Sequence, residues 1–212
     1  MGGERAAPIS ALIEAPVWRA TFRYGAPIAA ALAFHGLFNL ADLLIIGRLG
    51  REGVVAAVNL ASILVTAPLL VFDGVCNAGV AWIARSKGAG REDEAAAYGK
   101  ALAAAALAAS VVTAVGFLPI AEAALRSYDF GAEDAHADAR AYLRISVFGS
   151  VAMFVLLAAT AHLRGLGDAR RPVYLLVGAN ALNLALDVAL VFGLWGFPNL
   201  GVAGAAWGTV VA

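Results

Sequence analysis

Charge is what this sequence has least of. Asp, Glu, Lys and Arg make up 14% of its 212 residues, against roughly 25% in an ordinary soluble domain. So few charges cannot cover the surface of a water-soluble domain of this length. The 15 basic and 15 acidic residues cancel to a formal net charge of zero. No basic stripe or zinc-ligand spacing occurs, which excludes nucleic acid as a partner. Cysteine is nearly absent. Cys76 stands alone inside an apolar run, so no disulfide forms within the chain and a small packed residue is expected there. Residues 1–24 lack the apolar core of a cleaved leader and carry Glu4, Arg5, Glu14, Arg19 and Arg23. No Walker lysine motif or dinucleotide fingerprint is present, which excludes ATP-driven transport by this chain alone.

What the chain has in excess is hydrophobicity, at 62% of residues, with the charges gathered between long apolar runs. A bilayer demands that distribution, and it predicts an all-α, polytopic transmembrane helix bundle. A cytosolic arm is expected over 1–24 and a transmembrane lobe over 25–212. The spans fall at about 25–47, 54–84, 95–120, 142–162 and 172–193, with a sixth beginning near 200. Thirteen residues from Leu200 to Ala212 are too few to cross hydrocarbon at 1.5 Å per residue, so the sixth span reads as incomplete. The many glycines and alanines suit close helix packing in a membrane. Trp82 and Trp195 stand near span ends, where aromatic rings favour the interface.

Loop charges give the orientation. With the N-terminus in the cytosol, ten Lys and Arg residues lie inside and five outside. The expected outer loop between the third and fourth spans is acidic, with Glu122, Asp129, Glu133, Asp134 and Asp138. The expected location is the cell inner (plasma) membrane, multi-pass, with membrane lipid as the surrounding partner.

Ionisable side chains inside hydrocarbon are costly and mark function by default. Asp42 shares a helical face with Asn39 and His35, three and seven residues earlier. Asp187 shares one with Asn183 and Asn180. Such polar faces belong against a bundle interior or a water-filled cavity. Carboxylates and amides there suit a proton relay or the ligation of a sodium ion through oxygens. Packing between helices by hydrogen bonds is the competing role. Asp73, with Asn77 one turn on, forms a third polar spot, read as cavity lining, a gate or a structural link. Asn59 and Thr66 in the same span are read as packing contacts.

Five segments in series resemble one family, the multidrug and toxic compound extrusion (MATE) efflux transporters. They are NLADLLIIGRLG (39–50), ARSKGAGREDEA (84–95), LRGLGDARRP (163–172), NALNLALDVALVFG (180–193) and GVAGAAWGT (201–209). The resemblance implies twelve helices in two pseudo-symmetric lobes around a central cavity. This chain would be the N-terminal lobe, cut in its sixth helix. The implied activity is not enzymatic: it is antiport, exporting cationic or amphipathic drugs and toxins against protons or sodium ions. No cofactor is implied beyond that coupling ion. The family's coupling positions fall on Asp42, Asn180, Asn183, Asp187 and, in the sixth helix, Thr209. Trp207 stands where the family usually has a small or aliphatic residue, and it is expected to narrow the lobe. The missing partner would be a C-terminal lobe or a second half-size chain.

A lipid or glycolipid flippase of the same superfamily is the alternative. It calls for basic residues inside the cavity, yet only Lys100 and Arg144 fall within the spans, each near an end. A transport-incompetent fragment is the further alternative. An intramembrane hydrolase or transferase finds no supporting motif.

Overall fold

A computed structural model describes residues 40–168 and 170–212, together with Trp18, Phe22, Ala26, Ala29, Ala33, Gly36 and Leu37. His35, Asn39 and most of the 1–24 arm lie outside the described residues. The described residues are mostly helical and form six helices. These are α1 (40–47), α2 (Val54–Gly88), α3 (Glu92–Arg126), α4 (Glu133–Gly165), α5 (Arg170–Phe192) and α6 (Val202–Val211). A short 3-10 turn, Leu194–Gly196, links the last two.

Four of these helices, α2 to α5, are long and apolar enough to cross a membrane. Only 22–33% of each apolar window is buried within the protein, so the remaining apolar surface needs lipid or further polypeptide. The chain is a multi-pass membrane protein.

Helices outrun the expected spans. The third apolar run was expected over 95–120 and the helix covers Glu92–Arg126; the fourth was expected from Tyr142 and the helix starts at Glu133. Glu122, Glu133, Asp134 and Asp138 are therefore helical, not loop residues. Hydropathy ends where hydrocarbon ends, but a helix continues wherever its polar groups find partners. Glu122 pairs with Arg126 at 3.4 Å, Arg140 at 3.8 Å and Arg144. Arg51 ties the α1–α2 turn to α4 through Asp138 at 2.7 Å and Asp134 at 3.7 Å.

The first turn of α3 holds Glu92, Asp93 and Glu94, whose charges favour the positive end of the helix dipole. A widened π turn, Thr113–Phe117, interrupts α3 just before Pro119. Proline has no N–H, and its ring crowds the carbonyl four residues back, so the extra backbone in the π turn accommodates it.

Helices α2, α3 and α4 pack against one another around two cores. One joins Ala57, Ala61, Leu125, Ala139 and Leu143. The other joins Phe72, Cys76, Leu102, Phe154 and Ala158, with Phe72 and Phe154 edge to face at 5.2 Å. Cys76 is fully buried there, as its apolar run implied. A third core, Ile46, Val54, Val58, Val191 and Val202, brings α1 and α2 onto α5 and α6. Helix α5 packs chiefly on α6, which itself lies along α4.

The two charged turns meet at one end of the bundle. Lys87, at the end of α2, donates to the Leu166 carbonyl after α4 at 2.8 Å. Asp168 caps α5, its Oδ1 accepting from the backbone N–H groups of Arg170 and Arg171 at 3.1 Å each. At the other end Trp195 is exposed and holds a left-handed backbone, φ 56°. Trp207 is also nearly half exposed. The small neighbours Gly204, Ala205, Ala206 and Gly208 take the buried face of α6.

Candidate functional site

The site grows from the contact between α5 and α6. Glycine lets these two helices approach at backbone distance. A Cβ on Gly204 would stand 2.7 Å from the Leu190 carbonyl, and one on Gly208 would overlap Asp187 Oδ1. Small residues at helix interfaces allow this approach in membranes. The result is that Thr209 of α6 reaches the polar face of α5.

Asp187 is 1% exposed and Asn183 is 9% exposed, so both are buried at this contact. The Asn183 amide donates to Asp187 Oδ1 and to Thr209 Oγ1, both at 3.3 Å. The Thr209 hydroxyl in turn donates to the Ala205 carbonyl at 3.0 Å. Asp42, on α1, is half-buried and meets Asp187 side chain to side chain, within hydrogen-bond contact. Asp187 Oδ2 is buried and has no hydrogen-bond donor among the described residues.

Two groups complete the cluster that sequence reading did not single out. The Tyr142 phenol, on α4, lies beside Ser62 of α2 and Thr209 of α6. The cluster thus draws residues from α1, α2, α4, α5 and α6. The faint signal for Tyr142 was its place one turn before Ser146 and two before Ser150, both buried on the same face of α4.

Of the residues expected from sequence, Asp42, Asn183, Asp187 and Thr209 come together. Asn180 is half-buried one turn away, and its amide donates to the Leu176 carbonyl of its own helix at 2.7 Å. Asp73 and Asn77 stand apart and pair with each other, Asn77 Nδ2 donating to Asp73 Oδ2 at 2.9 Å. His35 and Asn39 lie outside the described residues.

Chemically, the unusual feature is the carboxyl pair. Two carboxylates in contact repel strongly, and burial raises the cost of both charges. The pair becomes favourable with one shared proton, or with a cation held between the oxygens. Asn183, Thr209 and Tyr142 supply fixed amide and hydroxyl dipoles on one side of it.

Comparison with known proteins places the fold. The MatE family model matches residues 27–189. Protein DETOXIFICATION 44, chloroplastic, of Arabidopsis thaliana is 32% identical over 203 residues, which cover 88% of this chain and 37% of the relative. A probable multidrug resistance protein NorM of Rhizobium meliloti is 28% identical over 192 residues, covering 89% and 40%. Among solved structures, a MOP superfamily transporter from Pyrococcus furiosus aligns with a TM-score of 0.82 at 25% identity, over 98% of this chain and 45% of that one. An outward-facing multidrug resistance MATE family transporter aligns equally well, at 0.82 and 26% identity over 98% and 45%. The chain therefore spans less than half the length of these relatives.

Proposed function

The chain belongs to the MATE family of efflux transporters, and from that membership we propose that it is the ion-coupling lobe of a secondary antiporter. Its family is one of transporters, not enzymes, and its helices cross the membrane several times. The proposed activity is export of cationic or amphipathic small molecules in exchange for protons or sodium ions. The proposed partner is a second lobe of similar size, facing this one across a central cavity.

The observation that carries the reading is the contact between Asp42 and Asp187, with Asn183 bridging Asp187 to Thr209. An ion entering from outside neutralises the carboxyl pair or is held by it. Without the ion, the two carboxylates in contact separate or take in water, and α5 and α6 shift along their glycine contact. Ion and exported molecule then favour different arrangements of the lobe, which is the coupling an antiporter needs. Sodium coupling uses the same oxygens as ligands, and proton coupling uses them as acceptors.

An N-terminus on the cytoplasmic side of the plasma membrane is part of the proposal. It is supported by the ten-to-five excess of basic residues and by the meeting of the Lys87 and Leu166 turns at one end.

The test is efflux of a fluorescent organic cation from vesicles carrying both lobes. Asp42→Asn keeps the size of the side chain and removes the titrating, ion-binding group. Normal insertion with loss of gradient-driven efflux is expected. Unchanged gradient-driven efflux by that variant sinks the proposal.

A further inference from the structure

Helix α2 carries a polar line that the ion cluster does not use. At 3.6 residues per turn, Asn59, Thr66, Leu70, Asp73 and Asn77 fall within a sector of about 60°. The line runs about 27 Å along the helix axis at 1.5 Å per residue, most of a bilayer's hydrocarbon depth. Asn59, Thr66, Leu70 and Asn77 are exposed and Asp73 is half-buried. Two amides, a hydroxyl and a carboxylate on one open face cannot lie against lipid tails, where each lacks a partner and the charge is poorly solvated. The rest of the exposed surface of α2 is different. Val71 and Val75, to one side of the line, are exposed and apolar.

The carboxylate on this line is preformed as an acceptor. Asn77 donates to Asp73 Oδ2, which fixes the carboxylate rotamer and leaves Oδ1 to a further donor or cation. Leu70 supplies an apolar surface one turn away. A carboxylate beside an exposed aliphatic side chain, in a surface that must be wet, is the chemistry that receives a lipophilic cation.

The line also borders the ion cluster. Ser62 sits at its edge on α2, on the side of Tyr142 and of Thr209, whose hydroxyl oxygen accepts from Asn183. Asp73 is about 16 Å along α2 from Ser62. The two carboxylate sites are therefore separate, and α2 carries a contact to each.

We propose that the Asn59–Thr66–Asp73–Asn77 line of α2 is the wall of a water-filled cleft, and that Asp73, held by Asn77, binds the positive charge of a lipophilic organic cation. The proposal rests on the antiporter reading for the source of the cation, and deepens it by naming the recognising carboxylate. The facing wall is the second lobe.

The experiment is thiol labelling in membrane vesicles carrying the chain as its gene encodes it, with the buried Cys76 replaced by alanine. Thr66→Cys and Asn59→Cys are expected to react with membrane-impermeant thiol reagents, while Val71→Cys does not. A cationic reagent should label Thr66→Cys about tenfold faster than an anionic one, through the field of a carboxylate in a narrow cleft. Asp73→Asn should remove that preference and Asp73→Glu should keep it. Tetraphenylphosphonium should slow labelling of Thr66→Cys when Asp73 is present and leave it unchanged in Asp73→Asn. Labelling of the polar line no faster than Val71→Cys overturns the cleft. Labelling without dependence on Asp73, or without protection by tetraphenylphosphonium, overturns the cation site. No ion gradient enters the measurement, so a failure of the antiporter reading leaves its outcome intact and separately legible.

Discussion

The lobe has two halves built on different principles. Where α2, α3 and α4 meet, the interior is dry, filled by alanine, leucine and phenylalanine. Three of its buried polar side chains spend themselves on their own helices: Ser110 on Leu107, Thr113 on Ala109 and Ser150 on Val147. Where α5 meets α6 against α1, the interior holds a buried carboxylate and amide, and the helices touch through glycine. Packed cores of the first kind resist deformation. Contacts of the second kind carry charge that must be matched by a partner. Under the proposed function, the first half supports the lobe and the second moves with the ion.

Variants break this comparison in order of size. The largest effect is expected from Asp42→Asn or Asp187→Asn, which should take gradient-driven efflux to background while protein yield in the membrane stays normal. Next, Phe154→Ala removes a fully buried ring from the dry half. A loss of about 3–5 kcal/mol is expected, read as a large drop in detergent melting temperature, with ion dependence intact in any protein that still folds. Gly208→Ala drives a Cβ into Asp187 Oδ1. Overpacking of this kind costs about 1–3 kcal/mol, and here it should also weaken coupling, which separates it from Phe154→Ala in the efflux assay. The smallest effect belongs to Arg51→Ala. Its ion pairs with Asp138 and Asp134 are partly exposed, and about 0.2–1 kcal/mol is expected from double-mutant cycles with Asp138→Ala. A loss of coupling from Phe154→Ala in well-folded protein would blur the division between the halves.

Much of the polar half is legible in the amino-acid sequence. Asn183 and Asp187 stand one turn apart in an apolar run, and the bilayer leaves such residues few roles. Thr209 carries no such signal by itself and came only from the family resemblance. Tyr142 and Ser62 escaped because hydroxyls near span ends are ordinary, and their importance comes from neighbours on other helices. The dry half is legible as spans but not as helices. Glu122 and Glu133 looked like loop residues because hydropathy reports the edge of hydrocarbon, while the helix continues beyond it, with Glu122 held by salt bridges to arginines. The π turn before Pro119 depends on backbone geometry that periodicity does not register. The line from Asn59 to Asn77 is visible in sequence only as separate residues. Its meaning comes from their exposure on one uncovered face.

The central claim is that the Asp42–Asp187 pair holds the coupling ion. The most direct measurement is efflux of an organic cation from vesicles carrying both lobes, with inward proton and sodium gradients imposed separately, for the natural protein and for Asp187→Asn. The account predicts that one gradient drives export by the natural protein and that neither does so in Asp187→Asn. Equal gradient-driven export by both proteins would contradict it.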